Sequence, residues 1–212
     1  INATTGTSAG AQIHADGTGA LILTNVANDM VADAGSKNLW LRGTSAAGNM
    51  ITSVLANNNG ALNVNIDGSA TWILTGENTY SGTTTVGGGA LGIGHNSALG
   101  TGAVVLSSTT GGAVFAYGGD RTISNAISDS NTTNAVTSFI GDYSLTFNGA
   151  WTNPTTSSTA RITRNNIVAG KTLTINGDYT FTSVDATVRN WNFDGSGDTI
   201  INGVISNTQG TI

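Results

Sequence analysis

Apolar residues along this chain come in clusters of about four at most, such as Ala20-Leu21-Ile22-Leu23, separated by polar and glycine-rich breaks. Within the clusters, apolar and polar positions often alternate, the mark of strands with one buried face. This pattern predicts strands at 21–23, 39–41, 61–66, 71–74, 83–86, 104–106, 113–115, 144–147, 172–175, 179–182, 190–193 and 199–201. Nearly all are bounded by Asn, Asp or Gly, residues that turn the chain tightly. Helix signals are almost absent. With one Glu, two Lys and two Gln, no window holds apolar residues at helical spacing beyond a turn or two. The chain reads as all-β.

A sandwich closes one core in roughly 100 residues, whereas the same strand-and-turn pattern here continues over 212 residues. That continuity favours a solenoid, and self-comparison supports it. At an offset of 152 residues, Leu21, Asp33, Ala34, Asn38 and Gly43 meet Leu173, Asp185, Ala186, Asn190 and Gly195. Two residues of slippage later, Ile51, Val54, Asn57 and Gly60 meet Ile201, Val204, Asn207 and Gly210. Residues 1–212 are therefore expected to form a single continuous parallel β-helix segment, a window of a longer repetitive chain with a period of about 150 residues. Coils of ~20–25 residues would give about seven per long unit and a rod roughly 40–50 Å long with open sheet edges at its ends.

Composition fits that architecture. Thr (34), Gly (30), Asn (24) and Ser (19) make up half the chain, and only 9% of residues are charged. Asn and Gly suit corners, and stacked Asn or Thr can hydrogen-bond from coil to coil as ladders. Scarce charge avoids like-charge repulsion between coils. The Trp and Phe residues are expected chiefly as core fillers. Seven Lys and Arg against twelve acidic residues give no basic surface for a phosphate backbone, which argues against nucleic acid as a partner. No stretch approaches the ~18 apolar residues of a spanning helix, so no membrane insertion is expected of this segment. Without cysteine there are no disulfides, zinc-thiolate sites or thiol nucleophiles. The first residues, Ile1-Asn2-Ala3-Thr4, lack a Met and a signal-peptide pattern, pointing to a processed terminus or a piece of a longer chain.

One stretch, residues 72–106, carries a specific motif. It contains Trp72, Leu74, Gly76, Asn78, Thr79, Tyr80, Gly82, Thr84, Val86, Gly89, Leu91 and Gly94, followed by Leu99, Gly100 and Gly102. This order closely resembles the autotransporter-associated β-strand repeat, also called the passenger-associated transport repeat: L-T-G-x-N-T-Y-x-G-x-T-T-V, then G-x-L-x-I-G, then L-G-x-G. Ile200 to Ser206 resembles the strand that often precedes such a repeat. The resemblance implies a right-handed parallel β-helix in a secreted or cell-surface bacterial passenger. The motif residues would then shape a coil, with Gly76, Gly82, Gly89 and Gly94 at turns, Asn78 capping a corner and Tyr80 packing.

Candidate chemistry is thin. Asp178, Asp185, Asp194 and Asp198, with Arg189 among them, form the densest acidic group, as scattered turn residues of a solenoid would. Asp194-Gly195-Ser196-Gly197-Asp198 begins like a calcium loop, but Ile205 stands where the twelfth-position Glu should be, and a tight turn is the simpler reading. Gly87-Gly88-Gly89 has neither the Lys nor the helix of a phosphate loop. His14 and His95 lack a second His or a Cys nearby. No catalytic residue, cofactor or metal site is expected. The reading is a stalk or fibre segment that self-associates end to end or laterally, or continues as tandem repeats. A surface glycan or host-cell ligand bound by outward aromatic residues is the alternative, and a polysaccharide-degrading β-helix enzyme the third.

Overall fold

The computed structural model describes residues 10–26, 35–107, 111–130, 136–153, 161–182 and 191–208, with Arg161 described by its backbone alone. The described residues form no helix, and none therefore is long and apolar enough to cross a membrane. Twenty-one short strands wind into a β-solenoid whose sheets are entirely parallel.

Four coils carry two strands each. Coil 1 holds β1 (Gly10–Ala15) and β2 (Ile22–Leu23), and coil 2 holds β3 (Lys37–Gly43) and β4 (Asn49–Ile51). Coil 3 holds β5 (Leu62–Ile66) and β6 (Thr71–Leu74), and coil 4 holds β7 (Thr84–Val86) and β8 (Ala90–Ile93). A third strand then enters each turn. Coil 5 has β9 (Val104–Leu106), β10 (Gly112–Ala116) and β11 (Arg121–Ile123); coil 6 has β12 (Ile127–Asp129), β13 (Val136–Gly141) and β14 (Leu145–Phe147). Coil 7 has β15 (Trp151–Asn153), β16 (Arg161–Ile167) and β17 (Thr172–Ile175); coil 8 has β18 (Tyr179–Phe181), β19 (Trp191–Asp194) and β20 (Asp198–Ile201). Finally, β21 (Ile205–Asn207) opens a ninth level. The first strands of all coils make sheet A of nine strands, the second strands sheet B of eight, and the third strands sheet C of four.

Register in sheet A is unbroken. Ala11, Leu39, Val64, Thr84, Val104, Ile127, Trp151, Tyr179 and Ile205 form one inward column through eight successive pairings. The intervals between them run from 20 to 28 residues, somewhat wider than the 20–25 read from the sequence. At about 4.8 Å per pairing, the stack is about 38 Å long.

Alternation decides what the core contains. Strands β3, β9 and β10 each read as buried and half-buried positions in turn. Leu41, Ile66, Leu74, Leu91, Ile93, Leu145 and Leu173 fill the interior with 0–1% exposure. Trp72 and Trp151 lie in that core, whereas Trp40 faces outward with the Arg42 guanidinium 4.5 Å from its ring, and Trp191 is half-buried. From coil 6 onward the core is aromatic: Phe147 and Phe139 meet Trp151 edge-on at centroid distances of 5.5 and 6.1 Å, and Tyr179 stacks on Trp191 at 3.6 Å.

Two vertical ladders hold the corner that leads into sheet A. Asn202 donates to Asn176 Oδ1 and Asn176 to Asn148 Oδ1, both at 2.8 Å, an asparagine ladder over three coils. Beside it run Gly82, Gly102, Asn125, Gly149, Gly177 and Gly203, each two residues before its column residue in sheet A. A Cβ at any of these glycines would fall on the carbonyl oxygen of the residue one coil below. Asn125, the one non-glycine, instead donates its side-chain amide to the carbonyls of Gly102 (2.6 Å) and Gly100 (3.1 Å).

Positive φ recurs at strand ends. Gly43 and Gly195, which match at the 152-residue offset, have φ of 117° and 103°, although Gly43 closes a strand of sheet A and Gly195 follows one of sheet B.

Candidate functional site

The motif residues of 72–106 run through coils 3 and 4 to the start of coil 5 and contribute to sheet A, sheet B and the return segments between them. Trp72 and Leu74 point inward from β6, Thr84 and Val86 from β7, and Leu91 from β8. The segment returning from β6 to β7 carries Gly76, Asn78, Thr79, Tyr80 and Gly82, and the one returning from β8 to β9 carries Gly94, Leu99, Gly100 and Gly102. Gly89 precedes β8.

Asn78 joins three levels. Its Oδ1 accepts the Leu55 amide at 2.7 Å, its Nδ2 donates to the Ala98 carbonyl at 2.6 Å, and the Thr79 amide donates to Leu55 O at 2.9 Å. Tyr80 lies fully buried, its hydroxyl 2.6 Å from Thr84 Oγ1, which also reaches the Leu99 carbonyl at 3.2 Å. Burial pushes the Tyr80 phenol well above its ordinary range, so the ring stays neutral and hydrogen-bonded. This pairing explains a hydroxyl in the inward column of sheet A. Thr84→Val is expected to strand the Tyr80 hydroxyl and cost about 1–3 kcal/mol. Tyr80→Phe added to it should cost less than the sum of the two, a coupling that denaturant titration of the double-mutant cycle measures.

Gly100 turns back at φ 62° directly over Tyr80, where a Cβ would strike the Tyr80 carbonyl. The return segments of coils 3, 4 and 5 thereby enclose an open cleft of about 540 Å³, lined by Glu77, Thr79, Asn96, Thr101, Thr122 and Ser124 over a floor that includes Asn78 and Asn125. It sits at the level where β11 begins sheet C. The edge of β11 is held by Asn96 Oδ1, which accepts the Thr122 amide at 3.0 Å, and by Arg121 Nε donating to Ile93 O at 3.3 Å.

Charges on the outer surface pair between coils. Arg42 meets Asp67 at 2.9 Å, and Arg164 donates Nε and Nη2 to the two oxygens of Asp194 at 2.9 and 2.7 Å. Asp194 thus faces a cation, and residues 194–198 make the turn joining β19 to β20, with Asn165 Nδ2 bonded to Asp198 O. Asp178 Oδ1 accepts the Val204 amide at 2.8 Å, while Asp185 and Arg189 lie outside the described residues. The acidic group read from the sequence is therefore not assembled by its described members. His95 Nδ1 accepts the Ser97 amide within its turn, and His14 lies near Gln12 and Asp16. Among the described residues no group of three His, Cys, Asp or Glu could hold a metal ion.

Asp120 clamps three coils: its Oδ1 accepts the Ser144 amide at 2.9 Å, and Lys171 Nζ binds both carboxylate oxygens at 3.1 and 3.2 Å. The Ser144 hydrogen bond first, and Lys171 second, hold its carboxyl below the usual carboxylate range. A depressed folded-state pKa supplies stability above the unfolded-state value that is lost as pH falls through the folded one. Thermal unfolding of the parent should therefore lose more stability between about pH 5 and about pH 2 than that of Asp120→Asn, with the exposed setting keeping the difference small.

The tryptophans do not align into an outward row: Trp72 and Trp151 are buried, and Trp40 and Trp191 belong to different sheets. Sequence reasoning missed the cleft because its walls come from three coils and consist of common turn residues. No protein-family model, curated protein or solved structure matches the chain.

Proposed function

We propose that this chain is a structural segment of a secreted or cell-surface bacterial stalk or fibre, in which stacked coils give reach and rigidity. The observation that carries this reading is the unbroken register of sheet A through nine strands. Every level is bonded to the next by main-chain hydrogen bonds, and inter-coil side-chain ladders reinforce them. Bending such a rod stretches many bonds together, which supports a mechanical role. The motif at 72–106 adds the bacterial passenger context through its resemblance to the autotransporter-associated repeat.

In this reading the motif residues shape coils and perform no catalysis. Self-association is the partner expected, through strand edges of further coils or of a second copy, since unpaired edges template pairing. Antibodies against the chain applied to intact and permeabilised source cells test the placement. Filamentous surface labelling of intact cells supports the stalk; labelling only after permeabilisation rejects it.

A further inference from the structure

We infer that the cleft between the return segments of coils 3, 4 and 5 is a binding site for a neutral oligosaccharide. The inference is independent of the stalk reading and goes beyond it. Several polar side chains on this solenoid are spent on the fold, as the Asn148–Asn176–Asn202 ladder and Asn78 illustrate. In the cleft the Thr101 hydroxyl reaches the Tyr80 carbonyl at 3.4 Å, but other polar groups of the walls do not bond to the fold. The Glu77 carboxylate and the hydroxyls of Thr79, Thr122 and Ser124 make no hydrogen bond with the described residues, and Asn96 uses only its Oδ1, leaving its amide hydrogens for a ligand. The floor is rigid by contrast: Asn78 and Asn125 are buried, their amides committed to carbonyls of Ala98, Gly100 and Gly102. A fixed floor beneath walls with unbonded polar groups leaves those donors and acceptors available to a polar ligand.

The lining selects the ligand class. It contains no cation, which excludes a phosphate backbone or an acidic glycan, and no apolar or aromatic side chain to anchor a hydrophobic peptide segment. Hydroxyls, one amide and a single carboxylate offer donors and acceptors together, complementary to the vicinal hydroxyls of a sugar. Glu77, the sole glutamate of the chain, would accept from two adjacent sugar hydroxyls as a charge-assisted pair. The cleft spans three levels, about 10 Å along the axis, so the ligand is a short run of sugar units laid along the rod. Each bond replaces one to water, so the affinity of one site is modest, a Kd of about 0.1–1 mM.

The test is amide chemical-shift titration of the 212-residue chain with cellohexaose, xylohexaose, mannohexaose and chitohexaose, and with a galacturonate hexamer as the anionic comparison. At least one neutral hexasaccharide should shift the amides of Asn96, Thr122 and Ser124 saturably. Glu77→Ala should weaken that binding about tenfold or more, and Ser124→Trp, which fills the cleft, should abolish it without lowering the melting temperature. If Ser124→Trp disturbs the fold, Thr79→Trp blocks the opposite wall with the same expected loss. The inference is overturned if no neutral hexasaccharide binds up to about 10 mM, if the anionic oligomer alone binds, or if binding persists unchanged in Glu77→Ala and in the folded cleft-filling variant.

Discussion

Replacing Gly177 by alanine should destabilise the solenoid by about 3 kcal/mol or more, a large cost for one methyl group. The new Cβ would fall on the Gly149 carbonyl, and that atom is main chain, held between coils, so it cannot rotate aside. Relief requires lifting the Gly177 corner off the Gly149 corner, which breaks the pairings of Leu145 with Leu173 and of Trp151 with Tyr179 on either side of it. In a stacked architecture stability is a sum of unit and interface terms. The damage should therefore be local: hydrogen-exchange protection is lost in residues 179–207 while coils 3 and 4 keep theirs. Alanine at Gly170, where nothing lies within 4 Å of the Cβ but φ is 80°, serves as a milder control at a surface turn.

Trp151→Ala is expected to cost about 3–5 kcal/mol. Trp151 is 1% exposed and packs against Phe139, Phe147, Tyr179 and Trp191 with centroid distances between 5.5 and 6.5 Å. Its loss leaves a cavity at the centre of the aromatic run, and the walls are strands fixed in register, which limits collapse. Its indole Nε1 has no acceptor among the described residues, so Trp151→Phe removes volume without stranding a hydrogen-bond partner. Urea unfolding should therefore place Trp151→Phe well above Trp151→Ala, and the gap separates packing from polar effects.

The all-β class and the stacked architecture were legible in the alternation of residues such as Leu62 to Ile66 and Thr172 to Ile175, whose inward side chains are apolar. Other strands left no such mark. Arg161–Ile167 and Trp151–Asn153 contain Arg, Asn or Thr at most positions, and β16 owes its extended form to the strands paired on both sides of it. Sheet C was read only where it was rich in apolar residues, and its edge strand β11 was not read at all, because Arg121-Thr122-Ile123 is too short to show a period.

A clearer signal lies in the chain. Phe147-Asn148-Gly149, Ile175-Asn176-Gly177 and Ile201-Asn202-Gly203 each end a strand of sheet C and turn into sheet A, at intervals of 28 and 26 residues. These intervals measure one coil directly. Coil length varies from turn to turn, however, so a fixed-offset comparison passes over it. The cleft was illegible for a related reason: Glu77, Asn96 and Ser124 become neighbours only when three coils of unequal length are stacked.

The stacked register itself can be measured as a distance. The chain contains no cysteine, so spin labels can be placed in pairs without background. Gln12, Ser128 and Ser206 lie in one outward column of sheet A, with five pairings from Gln12 to Ser128 and three more to Ser206. Pulsed dipolar spectroscopy on Gln12→Cys paired with Ser128→Cys, and with Ser206→Cys, should give separations near 24 Å and near 38 Å, growing by about 4.8 Å per pairing apart from label length. A distance for the Gln12 and Ser206 pair equal to or shorter than that for Gln12 and Ser128 would mean the chain folds back on itself, and would contradict the rod.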